Sequence, residues 1–386
     1  MHYFIFPDID TTIYFASGSK NTGLDEILEV RKDQKTDGTN VKVSRILIKF
    51  DLSYISQSMH RGLISTDAKF YLNMYDANPM ELGYSQSLWA YPVSQSWVEG
   101  EGFDSDNPTT TQGASWDYKT GINEEDWWNP NSQSTSSEQG GTWHDEVYAS
   151  QSFTWGTSDL RMDVTPIVNK WLDETYSNEG FIIKRSGSLE LVENGVVARS
   201  GSGEEGNTDL LGSFSFFSRQ TNTIYPPKLE VEWYDTTWNT GSLDPLSSAE
   251  LEDLVFYMKS LRTEYKEKSK IKFRVIGRGR YPTKSYSNTA SEYLTVKYLP
   301  SGSKEKIGED GAYYSVIDDE SGDVVIPFGS GSLISCDGTG NYFNLWMDGF
   351  QAERYYKFEF KVVSGSGTSD ETIQYFDDDF AFKVVR

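Results

Sequence analysis

The feature that most constrains the fold is a regular alternation of apolar and polar side chains in residues 44–53. A period of two is typical of a β-strand that turns one face toward a hydrophobic core. The residues on the predicted core face are Ile46, Ile48, Phe50 and Leu52. None of these side chains can do chemistry, so the stretch informs about the fold and not about a reaction.

Other segments show the same strand pattern. Residues 69–75 place Phe70, Leu72 and Met74 on one face. The abundance of aromatic residues (15%) and of glycine (33 residues) suits pleated sheets joined by tight turns. The sequence therefore predicts an all-β protein. The further predicted strands are residues 3–6, 11–15, 27–30, 88–93, 181–184, 214–217, 228–233, 254–261, 271–276, 293–298, 313–317, 324–328, 342–347, 355–363 and 380–385.

One helix is predicted with clear boundaries. Asp163 is the expected N-cap and Pro166 the first helical residue. The apolar stripe that follows consists of Val164, Ile167, Val168, Trp171 and Leu172. Ser247 and Glu250 have the spacing of a capping box, which leaves a short helix at 248–256 as an alternative to the strand at 254–261.

The chain divides into two predicted units. Residues 236–248 shift to a polar, turn-rich composition and are interpreted as a linker between unit 1–235 and unit 249–386. The second unit shows strands but no convincing long helix, so a smaller β-sandwich is expected. Within the first unit, residues 101–158 form a long polar insertion that carries scattered tryptophans. Loops of this length are unusual in compact domains, and their tryptophans argue against plain disorder.

The charge balance limits the partners. The chain has 35 Lys and Arg and 58 Asp and Glu, which gives a net charge of −23. This charge disfavours binding to nucleic acid and to anionic membranes. No run approaches the roughly 20 apolar residues of a membrane helix, and the first residues do not resemble a signal peptide. Cys336 is the single cysteine, so no intrachain disulfide can form. We expect a soluble protein without cofactor.

Candidate catalytic patterns are weak. The three histidines, His2, His60 and His144, lie far apart, and no G-x-S-x-G motif is present. With 58 acidic residues, pairs of carboxylates arise by number alone, so a hydrolase is only a third hypothesis. The acidic runs 104–107 and 377–379 lack calcium-loop spacing, and the glycine-rich segments 201–206 and 365–367 are predicted to be turns. We therefore predict no catalytic or metal-binding residue and no enzyme activity.

Two surfaces are candidates for binding. In the insertion, Tyr118, Trp127 and Trp128 could stack on sugar rings or anchor a partner. The alternative is that these aromatics fix the insertion to its own sandwich. The second surface is a local reversal of charge, where residues 259–284 carry ten Lys and Arg against two Glu. An acidic neighbour could dock there, although strand alternation would also produce a solvated basic face without a partner. The residues of this predicted basic strip are Lys266, Lys268, Lys270, Lys272, Arg274, Arg278 and Arg280.

Several motifs follow one another in a familiar order. They are Asn21-Thr22-Gly23, Arg45-Ile46-Leu47-Ile48-Lys49-Phe50-Asp51-Leu52, Trp97-Val98-Glu99, Asp163-Val164-Thr165, Asn178-Glu179-Gly180-Phe181, Phe217-Ser218-Arg219 and Pro226-Pro227-Lys228-Leu229-Glu230-Val231. This series resembles the DNRLRE-type domain over residues 8–235. The resemblance implies a jelly-roll-like sandwich of the carbohydrate-binding-module type, from which the longer insertion 101–158 departs.

The whole chain is also similar to virion structural proteins of T-even-like tailed phages, in particular those of cyanophage type. The strings that carry the resemblance are Gly113-Ala114-Ser115-Trp116, Arg161-Met162-Asp163-Val164-Thr165, Tyr342-Phe343-Asn344-Leu345-Trp346-Met347-Asp348 and Phe380-Ala381-Phe382-Lys383-Val384-Val385-Arg386. The resemblance implies a structural component of the particle. We predict that this component lies in the tail, baseplate or collar, is assembled in the host cytoplasm and docks to other virion proteins. The alternative function is a glycan-binding module for host-surface recognition.

Overall fold

The computed structural model describes residues 1–34, 41–122, 127, 140–188, 191–193, 196–199, 201–206, 211–281, 296–303 and 309–386. β-strands are the predominant secondary structure of these residues and helices are few and short, which confirms the predicted all-β fold. The chain forms two compact units. The N-terminal unit consists of Ile5–His60 and Lys69–Glu230, and the C-terminal unit of Met1–Phe4, Arg61–Ala68 and Val231–Arg386. The boundary thus falls at 230/231, and two short early segments belong with the later unit.

Up to residue 232, the described residues form thirteen strands and three α-helices. The strands are β1 (His2–Ile5), β2 (Ile9–Tyr14), β3 (Ile27–Gln34), β4 (Val41–Lys49), β5 (Lys69–Met74), β6 (Gln86–Pro92), β7 (Ala149–Phe153), β8 (Leu160–Asp163), β9 (Phe181–Arg185), β10 (Leu191–Glu193), β11 (Val196–Arg199), β12 (Gly212–Phe217) and β13 (Lys228–Glu232). The helices are α1 (Ser53–His60), α2 (Thr165–Leu172) and α3 (Gly203–Gly206).

The large sheet of the N-terminal unit has the strand order β12-β3-β4-β9-β6-β7, and β2 also pairs with β4. In β4, Ile46 lies opposite Thr12 of β2 on one side and Ile183 of β9 on the other. All four residues of the predicted core face are buried. The alternation of this segment therefore predicted its inner face correctly.

The other face of β4 was not predicted to be buried. Arg45 and Leu47 are also inaccessible to solvent. Leu47 belongs to a second hydrophobic core with Ile182 of β9 and tryptophans from the segment between β6 and β7. The large sheet is therefore covered on both faces, and the long insertion supplies the second cover.

A smaller sheet contains β13, β5 and β8 as neighbours. Phe70, Leu72 and Met74 of β5 are fully buried, as the alternation of residues 69–75 predicts. The backbone N–H of Phe70 donates to Thr165 Oγ1 at 2.9 Å, so β5 contacts the first residue of α2. The two sheets and α2 form a sandwich in which the apolar faces of the strands are enclosed.

Helix α2 confirms the predicted apolar stripe, with Ile167, Val168 and Trp171 buried. Its N-cap is Val164 and not Asp163. Asp163 instead accepts a hydrogen bond from the backbone N–H of Thr165 at 3.0 Å, through an Asx-type contact just before the helix. Helix α1 was not predicted.

From residue 248 onward, the described part of the C-terminal unit contains one α-helix and ten strands. They are α4 (Ser248–Glu252), β14 (Leu254–Lys259), β15 (Glu264–Lys266), β16 (Lys270–Gly279), β17 (Gly311–Asp318), β18 (Val324–Ile326), β19 (Ser335–Asp337), β20 (Gly340–Trp346), β21 (Tyr355–Ser364), β22 (Thr372–Phe376) and β23 (Ala381–Val385). Ser247 and Glu250 form the predicted capping box. A short helix therefore precedes the strand, and the alternative helix at 248–256 and the strand at 254–261 are each present over part of the predicted range. The first half of the predicted strand 293–298 lies outside the described residues, and Lys297 and Tyr298 in its second half form isolated β-bridges.

Two sheets make this unit a second sandwich. Their strand orders are β14-β16-β20-β19 and β15-β23-β21-β17-β18, and β22 pairs with β21. Aromatic rings fill the space between them: Phe343 stacks on Phe273 at 5.2 Å and on Tyr314 at 4.3 Å between ring centroids. The predicted smaller β-sandwich is confirmed.

Two segments outside the predicted second unit pack on it. In the predicted linker 236–248, Leu246 is buried in the core, and Asn239 N–H donates to the Cys336 carbonyl at 3.0 Å. The composition shift therefore marks a surface segment fixed to one unit and not a free connection. Phe4 also belongs to this core, and Gly349 approaches its ring so closely that a side chain would collide with it.

Candidate functional site

The basic strip is organised by strand β16. Its burial alternates: Phe273 and Val275 point into the core, whereas Lys270, Lys272 and Arg274 lie on the opposite, outward face. Successive cations on this face are two residues apart. The sequence pattern predicted this shared face, and the structure confirms it for the residues of β16.

The neighbouring strands extend the same face. Lys259 of β14 and Tyr342 of β20 lie opposite Arg274, on its two sides. Trp346 lies opposite Lys270 in the same ladder. Since paired residues in a ladder project to the same side of a sheet, these side chains share the outward face with the cations of β16.

A cleft of about 440 Å³ is lined by β16 and the residues beside it. Five cationic side chains contribute to its lining: Lys259, Arg262, Lys270, Lys272 and Arg274. Ser260, Thr339 and Asn341 add polar groups. On a chain with a net charge of −23, such a concentration of positive charge is a distinct feature.

One carboxylate is already held by these cations. The Arg274 guanidinium donates to Asp337 through Nη1 at 2.6 Å and Nη2 at 2.8 Å, in a bidentate arrangement. Lys272 Nζ donates to the same carboxylate at 2.7 Å. The hydrogen bonds from Arg274, with those from Lys272 and Thr339, hold the pKa of Asp337 far below its usual range. Asp337 is therefore ionised throughout the physiological range.

Aromatic rings beneath the cations fix their positions. Lys272 Nζ lies 3.6 Å from the centroid of the Tyr342 ring, and the Arg274 guanidinium lies 5.3 Å from the same centroid. Lys270 Nζ lies 4.8 Å from the centroid of the Trp346 ring. Cation–π contacts of this kind stabilise a charge without neutralising it. The face thus presents positioned cations.

Three of the lining cations have no anionic partner in the part of the chain that the structure describes. Lys259, Arg262 and Lys270 are exposed. The ion pairs among described residues involve Lys272 and Arg274 but none of these three. Within the described residues, the charges of these three side chains are therefore not neutralised by a carboxylate.

The remaining members of the predicted strip lie outside the cleft. Arg278 donates to the Gly279 carbonyl at 3.2 Å, and Arg280 pairs with Asp253 at 2.8 Å. Lys266 and Lys268 are exposed beyond the lining. The strip is therefore divided, and only its central residues converge with Lys259 and Arg262. Asp337 was missed because its place beside Arg274 depends on the pairing of β19 with β20, which no local pattern shows.

The structure gives a different result for the predicted aromatic contact residues Tyr118, Trp127 and Trp128. Trp127 is fully buried, and its Nε1 donates to the Ser115 carbonyl at 2.7 Å. It packs in the second core with Trp116 and Trp143, so the prediction that it contacts an external ligand is wrong and the alternative, anchoring of the insertion, holds. Tyr118 is half-buried, and Trp128 lies outside the described residues. Trp155, in contrast, is 87% exposed.

The second core also contains a buried ionic cluster that the sequence did not suggest. Glu205 pairs with Arg45 at 2.8 Å and with Lys184 at 3.1 Å, and all three side chains are inaccessible. Burial alone would raise the pKa of Glu205, but the charges of Arg45 and Lys184 and their hydrogen bonds lower it. The cluster ties the glycine-rich segment 201–206, which forms α3, to the large sheet.

His60, His144 and Cys336 each have a contact or a buried position within one unit. His144 stacks on Tyr176 with a centroid distance of 3.9 Å, and His60 Nδ1 lies 2.8 Å from the Ser56 carbonyl. Cys336 is buried, and burial raises the pKa of its thiol to about 11. Among the described residues, no group of three or more His, Cys, Asp or Glu is arranged to hold a metal ion.

Comparisons with protein-family models, with curated proteins and with solved structures found no match. A search of the described helices found none that combines the length and the apolar character needed to span a bilayer.

Proposed function

We propose that this chain is a non-enzymatic structural component of a tailed-phage particle, in its tail, baseplate or collar, and that it docks to neighbouring virion proteins through the cleft on β16. The observation that carries the proposal is the cleft itself. It gathers five cations on the outward face of a preformed sheet, in a chain that is otherwise strongly acidic.

A preformed sheet face suits assembly. The strands of the sandwich are ordered before any partner arrives, so association loses little backbone freedom. A concentration of positive charge on one surface of an acidic protein also orients the encounter with an acidic partner, and it disfavours association with positively charged surfaces. The assignment to a phage particle rests on the similarity of the sequence strings and is part of the proposal.

The test is the location of the protein. Mass spectrometry of fractionated particles should find the chain in purified tails or baseplates, and electron cryomicroscopy should place its C-terminal unit against an acidic surface. Particles produced with the Lys259→Glu, Arg262→Glu double variant should contain much less of the protein. A matched control is the double variant Lys266→Glu, Lys268→Glu, which changes the charge equally outside the cleft. Absence from purified particles would refute the proposal.

A second candidate function is glycan binding for host-surface recognition, and Trp155 is the observation that favours it. A tryptophan that is 87% exposed offers an indole face for stacking on a sugar ring. Titration of host polysaccharide by calorimetry should then show binding that Trp155→Ala abolishes. Equal heats of binding for the wild type and the Trp155→Ala variant would rule out glycan binding at Trp155.

A further inference from the structure

We infer that the cleft on β16 binds an extended, carboxylate-rich peptide segment with acidic residues at alternate positions. This inference rests on the proposed docking function and specifies the chemistry of the partner. Lys270, Lys272 and Arg274 follow one another at every second residue of a single strand. Residues i and i+2 of a strand are roughly 6.8 Å apart.

An extended peptide has the same repeat. When Asp or Glu occupies every second residue, its carboxylates project to one side at roughly the same 6.8 Å interval. A peptide running along β16 can therefore place successive carboxylates over successive cations. Lys259 and Arg262, which also line the cleft, widen the positive surface on which such a peptide would lie.

The chemistry of the anion is indicated by Asp337. Its carboxylate already receives two hydrogen bonds from Arg274 and one from Lys272. The planar guanidinium matches the geometry of a carboxylate, and this match is realised in the folded chain. Asp337 also neutralises part of the charge of the cleft. We therefore expect it to weaken the binding of an external carboxylate.

Nucleic acid is a poorer occupant, because a net charge of −23 repels a long polyanion approaching the rest of the surface. A sulfated polysaccharide remains a useful competitor in the test, since its anionic groups do not follow the strand repeat.

The experiment measures fluorescence polarisation of a short labelled peptide that alternates glutamate with threonine. The comparison peptide has the same composition with its glutamates in one block. The wild-type protein should bind the alternating peptide about threefold more tightly or better, and binding should weaken with salt. The Lys259→Glu, Arg262→Glu variant should lose about tenfold in affinity, because two exposed charge contacts are reversed.

The decisive variant is Asp337→Asn. In the wild type, Asp337 Oδ1 accepts hydrogen bonds from the Thr339 N–H at 3.0 Å and from Thr339 Oγ1 at 2.7 Å. Asparagine keeps an oxygen that can accept both bonds, so the turn should remain folded. Loss of the negative charge leaves Arg274 and Lys272 free for the peptide, and affinity should rise about threefold. The control variant Lys266→Glu, Lys268→Glu should change affinity less than about twofold.

Two results would overturn the inference: equal affinity for the two peptides, or binding of heparin at concentrations where neither peptide binds. If the Asp337→Asn variant binds the alternating peptide no more tightly than the wild type, the proposed competition by Asp337 is wrong. None of these results bears on whether the protein is found in purified particles. Failure of the peptide assay with the protein present in tails would reject the peptide and retain the structural function.

Discussion

Glu205 lies with both carboxylate oxygens against the guanidinium of Arg45, at 3.0 Å from Nε and 2.8 Å from Nη2. The two residues are 160 positions apart in the chain, and both are inaccessible to solvent. Trp116 and Trp143 lie beside the guanidinium, at 4.6 Å and 5.1 Å from their ring centroids. A fully desolvated pair of this kind is costly to form and more costly to break on one side.

Glu205→Gln should destabilise the N-terminal unit by about 3–5 kcal/mol, because the buried charges of Arg45 and Lys184 would lose the carboxylate of Glu205. Urea unfolding followed by tryptophan fluorescence measures the change. The control is Asp104→Asn, which removes the carboxylate partner of Lys20 at a site where Asp104 is exposed. That variant should cost less than about 1 kcal/mol. Similar losses of unfolding free energy in the two variants would contradict the claim that burial makes the Glu205 ion pairs important.

Trp127→Ala should lower the free energy of unfolding of the N-terminal unit by about 3–5 kcal/mol, the usual effect of removing a large buried ring. The cavity would open in the core that covers the outer face of the large sheet, where the Trp127 indole also donates to Ser115. Trp155→Ala is the matched control, because its ring is exposed and its removal leaves no cavity. A Trp127 variant as stable as the Trp155 variant would show that the insertion does not need this anchor.

Asp10 should make the stability of the N-terminal unit dependent on pH. Burial, reinforced by the nearby charge of Glu99, raises the pKa of Asp10 from 3.8 to about 7 in spite of a hydrogen bond from the backbone N–H of Arg219. Between these two values the folded protein retains a proton that the unfolded chain releases. Stability from this group is therefore greatest at low pH and is lost as the pH rises toward 7.

The contribution of Asp10 is isolated by comparison with Asp10→Asn, which cannot ionise and can still accept from Arg219. The difference in unfolding free energy between the variant and the wild type should grow in favour of the variant from pH 4 to pH 8, by about 1.4 kcal/mol for each pKa unit of separation. Urea titrations at several pH values measure it. Parallel pH profiles of the two proteins would contradict the buried, proton-retaining carboxyl.

Asn21→Ala should cost about 2 kcal/mol or more, because its side chain bonds to four backbone groups. Its Nδ2 donates to the carbonyls of Glu99 at 2.6 Å and Ala114 at 2.8 Å, and its Oδ1 accepts from the N–H groups of Gly23 and Gly102. Asn222→Ala, at an exposed site, is the control and should change stability little. Thermal unfolding of the two variants gives the comparison, and equal melting temperatures would argue against the role of Asn21.

The parts of the fold that the sequence predicted depend on local repetition. The alternation in β5 and the stripe in α2 each describe one face of one element, and burial of Phe70 and Ile167 follows from it. The same applies to the outward cations of β16. In each case the spacing of residues within a few turns or pleats decides which side faces the core.

The parts that were not predicted depend on contacts between distant segments. Leu47 is buried because the insertion covers the outer face of its strand, and Trp127 is part of that cover. Nothing in the polar composition of residues 101–158 shows whether a tryptophan points inward or outward. The partners of Asp337 and Glu205 likewise depend on strand register and on a short helix in a glycine-rich segment.

The contact between Met1 and Trp346 has a consequence for the synthesis of the protein. Trp346 Nε1 donates to Met1 Sδ at 3.1 Å, and Trp233 N–H donates to the Met1 carbonyl at 3.0 Å, across 345 positions in the first case. A ribosome releases residues 1–4 long before it has made Trp346 in β20. The packing of residues 1–4 on the C-terminal sandwich therefore has to wait until β20 has been synthesised, and it closes a very long loop.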